Sequence, residues 1–243
     1  MVGVTAVVLA PLEVLVARAV QGPHGGIALG GLLAPLTDVA ALTWFRNSAL
    51  VTSATVVVAV AAAVPAGYAL SRGRGRAIGA FALLVFGLQS LPAILLITPM
   101  FIVFVGLHLV DSLGGLVVIY VGLAIAVATW TTSAFFDAVP IELEEAAWLD
   151  GCGVLGAFLR VVLPNALPGL LSAAVSTFLI AWNDYWVAVV FIQSVDRQTL
   201  GLALAGQASP AVALLGLLPP VLVFAVFHRV FRFGGIGGAM AGR

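Results

Sequence analysis

The sequence contains no lysine, a single cysteine and few charges of any kind. Only 8% of its 243 residues are charged, against about 25% in an ordinary soluble domain. Without lysine there is no GxxxxGK[ST] phosphate loop, whose lysine reaches the nucleotide phosphates. Schiff-base and lysine general-base chemistry are excluded on the same ground. Cys152 stands alone, which excludes an internal disulfide and a thiolate metal cluster. His24, His108 and His228 lie far apart, without the i, i+4 spacing of a helical metal site, so no metal site is expected and they read as scattered interfacial residues. Ten arginines balance ten acidic residues, leaving no net field to recruit nucleic acid or an anionic substrate.

Apolar surface is what the chain has in excess. Hydrophobic residues make up 63% of it, and its mean hydropathy is +1.21. A soluble fold of this length could not hide that much, because its outer layer must meet water. Lipid removes the difficulty. A spanning helix needs about 20 mostly apolar residues. Segments 48–70, 78–105, 113–136 and 166–190 qualify, as does 210–228 despite Pro219 and Pro220; prolines are tolerated where neighbours or water satisfy the freed backbone. Segment 2–20 is marginal, with Pro11 and Glu13 near its middle, and it lacks the basic start of a cleaved signal peptide. The expectation is an all-α polytopic membrane protein of about six helices. With the N-terminus inside, Arg72, Arg74, Arg76, Arg160, Arg229, Arg232 and Arg243 are cytoplasmic, and Arg18, Arg46 and Arg197 are not. That seven-to-three bias sets the orientation and puts both termini inside. Residues 1–47 form a short first segment and an outer loop with Gly-Pro-His-Gly-Gly at 22–26; residues 48–243 form the transmembrane domain. No internal repeat is found.

The long polar connection 137–165 stands apart. Pro140 suits the first helical position, where its missing N–H costs nothing. Glu142, Glu144 and Glu145 follow at the positive end of the helix dipole, and Gly151 and Gly153 supply a stop. A second helical run, 154–163, ends at Pro164. One reading is an amphipathic helix resting on the membrane, but such helices are normally basic and this one is acidic. The small Ala146 and Ala147 instead favour docking against another protein.

The run Glu145-Ala146-Ala147, three residues, Gly151, nine residues, Val161, one residue, Leu163-Pro164 resembles the EAA loop of binding-protein-dependent ABC importer permeases, with only an isoleucine replaced by Val161. Asp150 and Pro168 also look like the family. Arg46-Asn47-Ser48, SRGRGR at 71–76, SLPAILLITPMF at 90–101, AWNDYWVAVVFI followed by RQTLGLALAG over 181–206, and the glycine-rich tail 234–243 resemble its carbohydrate-uptake branch, typified by the smaller maltose permease subunit. The likeness covers roughly 44–243. Before that it is loose, since the first span is short and the basic lead-in usual in such permeases is missing, which implies a misplaced start or an abbreviated member. The resemblance implies a type I importer fold, and it assigns ATPase coupling to Glu145, Ala146, Ala147, Asp150, Gly151, Leu163 and Pro164. It also implies a second homologous permease, two ATPase subunits that bind the ATP and Mg, an extracytoplasmic solute-binding protein, a multi-pass place in the cytoplasmic membrane, and a sugar or related polyol as solute. A glycerol-phosphate-type or other small polar solute is the alternative. No cofactor belongs to this chain, and no catalytic residue is expected in it.

Three polar residues are candidates for the solute pathway. An ionised aspartate at a helix centre costs roughly 2.5–3.5 kcal/mol. Asp184 lies 16 residues beyond Pro168, about 24 Å along a continuous helix, near the outer edge of a core about 30 Å thick. Asn183 and Asp184 either face the pathway or the partner permease, or form an interfacial belt and polar helix exit with Trp182 and Tyr185. Gln89, with Ser90 before a loosening Pro92, either lines the pathway or makes an interhelical hydrogen bond of about 0.6 kcal/mol. Asn47 and Ser48 read as an N-cap pair for the second span. A secondary transporter using Glu13 or Asp184 to carry a proton is the rival reading, and the EAA element argues against it. A membrane enzyme is weaker still, since no nucleophile–base or metal constellation falls in any span.

Overall fold

The computed structural model describes residues 2–20, 30–206 and 208–234. The Gly-Pro-His-Gly-Gly stretch with His24, and the tail from 235 to Arg243, lie outside the described residues. Among the described residues the chain is helical, without a strand. Helix α1 (Val2–Val20) packs on the last helix, α11 (Pro210–Gly234).

Helix α2 (Val39–Arg72) starts where the carboxylate of Asp38 accepts a hydrogen bond from the Ala40 N–H at 2.9 Å. This corrects the expected start at 48. Asp38 is the cap, and Asn47 and Ser48 are buried within the helix, where they bind another segment of the chain. At 34 residues, α2 is about 51 Å long and overreaches a hydrocarbon core of about 30 Å.

The segment expected as one span over 78–105 is two helices, α3 (Arg76–Ser90) and α4 (Ala93–Gly106), bent by 97°. Pro92 has no N–H to continue the ladder. It also forces Leu91 into the extended region, at φ −78 and ψ 125. Helix α5 (Leu113–Asp137) agrees with the sequence reading to within one residue.

Three further corrections follow. Pro140 sits at the N-cap, one position before helix α6 (Ile141–Leu149). Helix α7 (Val154–Asn165) does not stop at Pro164 but runs one residue past it, with a π-helical stretch over Phe158–Val162. The expected span 166–190 is interrupted: α8 (Leu167–Trp182) ends at Asn183, and α9 (Trp186–Phe191) begins after a break. Helices α7 and α8 meet at 71°. Helix α10 (Leu200–Gly206) precedes α11, which carries Pro219 and Pro220 without interruption.

Among the described residues, three uninterrupted helices are long and apolar enough to cross a membrane, or five spans if each bent pair is one. Helix α1 lies outside that count. The centre of the molecule is the packing of α2, α5 and α8 on one another. Ala63, Ala128 and Ala173 meet there, each fully buried. A Cβ on Gly67 would lie 2.2 Å from Thr132 Oγ1, so only glycine permits this approach. Close contact through small residues is how helices pack tightly in lipid. Thr132 donates across the gap to Ala63 O at 3.1 Å.

Candidate functional site: the loop after the fifth helix and a cavity between helices

Helix α6 is short, and its end is built by its glycine. Gly151 has φ +85, a left-handed conformation that costs other L-residues about 1–2 kcal/mol. Its N–H donates to Trp148 O at 3.0 Å, and the Cys152 N–H donates to Ala147 O at 2.9 Å. These two bonds make a Schellman motif. The chain then reverses into α7. Val139, Val162 and Ala166 pack with Phe136 beneath it, and the Tyr68 ring lies against Phe158 and Phe136 at 4.6 and 5.9 Å. The loop is thereby seated on the ends of α2 and α5.

One ion pair fixes the inward face of α6. Arg72, the last residue of α2, places its Nε 2.6 Å from Glu144 Oε1. Tyr68 OH donates to the other carboxylate oxygen at 2.7 Å. The same guanidinium donates to Val139 O at 2.7 Å and to Ser71 Oγ at 3.1 Å, and Ser71 in turn donates to Asp137 Oδ1 at 2.6 Å. Glu144 is 1% exposed and Arg72 16%. Ala147, three residues on and so on the same helix face, is buried as well.

The expected coupling residues divide accordingly. Glu145, Ala146, Asp150, Gly151 and Pro164 are exposed, Leu163 is half-buried, and Ala147 faces the chain's own interior. Leu149, beside them, is 89% exposed, with Leu143, Trp148, Val154 and Leu155 also open. The sequence reading missed Glu144 and Arg72 as a pair. Their signal was available in the i, i+3 spacing of Glu144 and Ala147, but Arg72 read only as one of several arginines setting orientation.

Of the three pathway candidates, two share a cavity. Gln89 and Asp184 both line a space of about 490 Å³ where the α3–α4 bend faces α5 and α8, with Ile119, Gly122, Ala126 and Ile180 among its walls. The Asp184 carboxylate accepts from Tyr120 OH at 2.8 Å and from the N–H groups of Val187 and Ala188, both at 3.1 Å. It therefore caps α9 rather than lying along a continuous α8. Asn183 lines a separate cavity of about 230 Å³ beside Trp182 and Leu200, and its amide donates to Leu179 O at 3.0 Å.

The opposite end of α2 carries a second clamp. Asn47 Nδ2 donates to the carbonyls of Asp196 and Gln198, both at 2.9 Å, and Ser48 Oγ accepts from the Leu200 N–H at 2.8 Å. Beside it, Asp111 accepts from the N–H groups of Gln193 and Ser194 at 3.0 and 2.9 Å and from the Ser194 hydroxyl. Arg197 donates to the Asp111 carbonyl and lies 3.4 Å from its carboxylate. The Ser194 hydroxyl first, then the Ser194 and Gln193 N–H groups and the Arg197 charge, hold the Asp111 carboxyl down at about 2. Asp111 adopts φ 53 to make these bonds.

Residues 59–233 match the family described as the inner membrane component of binding-protein-dependent transport systems. The inner membrane ABC transporter permease protein YcjP of Escherichia coli is 32% identical over 208 residues, covering 82% of this chain and 74% of that one. The trehalose transport system permease protein SugB of Mycobacterium tuberculosis is 34% identical over 203 residues, covering 77% and 73%. Among solved structures, a bacterial ABC transporter involved in import of the acidic polysaccharide alginate superposes with a TM-score of 0.76 at 21% identity, over 95% of this chain and 93% of that one; at that identity the likeness concerns the fold. With the family matched over most of the chain and the fold in agreement, the chain belongs to the binding-protein-dependent transport system inner membrane components: it is a membrane-embedded permease subunit of an ABC importer, not an enzyme.

Proposed function

We propose that this subunit carries a sugar or related polyol inward by alternating access, together with a second homologous permease, two ATPase subunits and an extracytoplasmic binding protein. The trehalose relative supports a carbohydrate solute. The loop 137–165 is the contact for the ATPase, through Glu145, Ala146, Asp150 and Gly151 and the apolar rim around Leu149, while Ala147, Leu163 and Pro164 shape the seat behind them. Gln89 and Asp184 line the solute path; Asn183 belongs to the outer rim of the helix break. The loop and both termini face the cytoplasm, with α1 as the sixth span, following the arginine bias.

The single observation behind the coupling role is the two-faced character of α6, pinned inward through Glu144 and open outward at Glu145 and Leu149. Leu149→Arg tests it. The variant is expected to insert normally, to lose co-purifying ATPase subunits and to lose ATP-dependent uptake. Full retention of the ATPase would remove α6 from the contact. Orientation is tested by a single cysteine at position 74 in a Cys152→Ser background, where labelling by an impermeant reagent from outside would reverse the topology.

A further inference from the structure

We propose that the Arg72–Glu144 ion pair is the joint through which movement of α6 passes into α2, so that both are positioning residues for coupled transport; this rests on the reading of α6 as the ATPase contact. Both carboxylate oxygens of Glu144 are held by donors from α2, Arg72 Nε at 2.6 Å and Tyr68 OH at 2.7 Å. Those donors are four residues apart, one helical turn. Arg72 adds a third point, the Val139 carbonyl on the short α5–α6 link, at 2.7 Å. Greasy contacts slide, whereas this set fixes direction as well as distance. Desolvation offsets much of the attraction in a buried ion pair, so its contribution here is geometric.

The far end of α2 shows where such movement would arrive. Asn47 lies 25 residues before Arg72, about 38 Å along the helix. There Asn47 and Ser48 hold the main chain of Asp196, Gln198 and Leu200. The segment continues into α10, where Gly201 sits so close to Asp184 that a Cβ would lie 2.4 Å from the Asp184 carbonyl. Helix α2 is thus a strut with directional polar bonds at both ends. One end holds the inward face of the coupling helix, and the other holds the segment backing the break that carries Asp184 into the cavity.

The test uses the complete transporter in lipid nanodiscs, with spin labels at Val39 and Leu107, both exposed, in a Cys152→Ser background. The distance between them is compared without nucleotide and with Mg-ATP trapped by vanadate. Glu144→Gln and Arg72→Gln are expected to keep their ATPase subunits and hydrolyse ATP, yet to lose most of the ATP-induced distance change, with solute moved per ATP down about tenfold. Arg72→Lys, which keeps the charge, recovers part of both. A wild-type distance change in the neutral variants overturns the joint. Should the neutral variants fail to assemble, Tyr68→Phe leaves both charges in place and must show a reduced movement with full assembly; unchanged movement there overturns the joint. Leu149→Arg separates the two readings. If it abolishes ATPase association while the Arg72 variants move normally, only the joint fails; if it leaves association intact, the coupling reading itself fails.

Discussion

At the scale of single residues, charge is scarce in this chain: Asp38, Asp111 and Asp184 hold backbone N–H groups and Glu144 holds the partly buried Arg72, while Glu145 and Asp150 are exposed. Asp111 is the clearest case for a pH experiment. Its folded pKa of about 2 lies below the ordinary aspartate value of about 3.9. The unfolded chain therefore binds more protons between those values, and stability rises with pH there. The contribution is present above about pH 4 and lost as pH falls toward 2. Asp111→Asn should lower the melting temperature slightly at neutral pH and flatten its fall below pH 4, as read by thermal unfolding in detergent. Because the carboxylate is partly open to water, salt should shrink the difference. Asp184 is expected to behave differently. Asp184→Ala removes the cap of α9 and the partner of Tyr120 together with the one acid that lines the larger cavity among the described residues. Uptake should drop at least tenfold while ATPase subunits still co-purify; wild-type uptake would leave Asp184 as a cap alone. Removing one such interaction costs roughly 1–3 kcal/mol.

Among elements, α6 and its glycine turn carry the most specific expectation. Gly151 has open space where a Cβ would go, so the obstacle to substitution is the backbone and not a clash. Gly151→Val should cost about 1–2 kcal/mol and tilt α6, reducing ATPase association while the protein still inserts. Gly151→Asn, which tolerates the left-handed region better, should retain most of it. Co-purification of the ATPase with each variant measures the difference. This turn was legible in the sequence because glycine after a helical run has one dominant use. The breaks in the membrane were less so. Pro92 marked a weak point, but the 97° bend depends on what α3 and α4 pack against, which hydropathy does not encode. The end of α8 at Trp182 was legible only as one of two readings: Asn183, Asp184 and Tyr185 offered a polar helix exit, but the apolar run 186–190 could continue a span, and the capping bonds of Asp184 show the interruption. The start of α2 was misread for the converse reason: Asn47 and Ser48 are good caps by composition, but their partners lie about 150 residues away.

On the scale of the whole molecule, the fold class followed from composition, and the helix, glycine turn and helix of 137–165 from their own residues. What composition could not reach was the pairing of Arg72 with Glu144, since an arginine in an ion pair and one that sets orientation look alike in a sequence. The account makes this chain a passive conductor: with no lysine to build a phosphate loop, any work from ATP must enter through contact with another protein. Uptake of labelled di- and oligosaccharides into proteoliposomes tests this directly, comparing the complete complex with the purified chain alone. The expected result is uptake only by the complete complex, dependent on ATP and binding protein, with no ATP hydrolysis by the chain alone. Robust uptake by the chain alone under a proton gradient without ATP would contradict it.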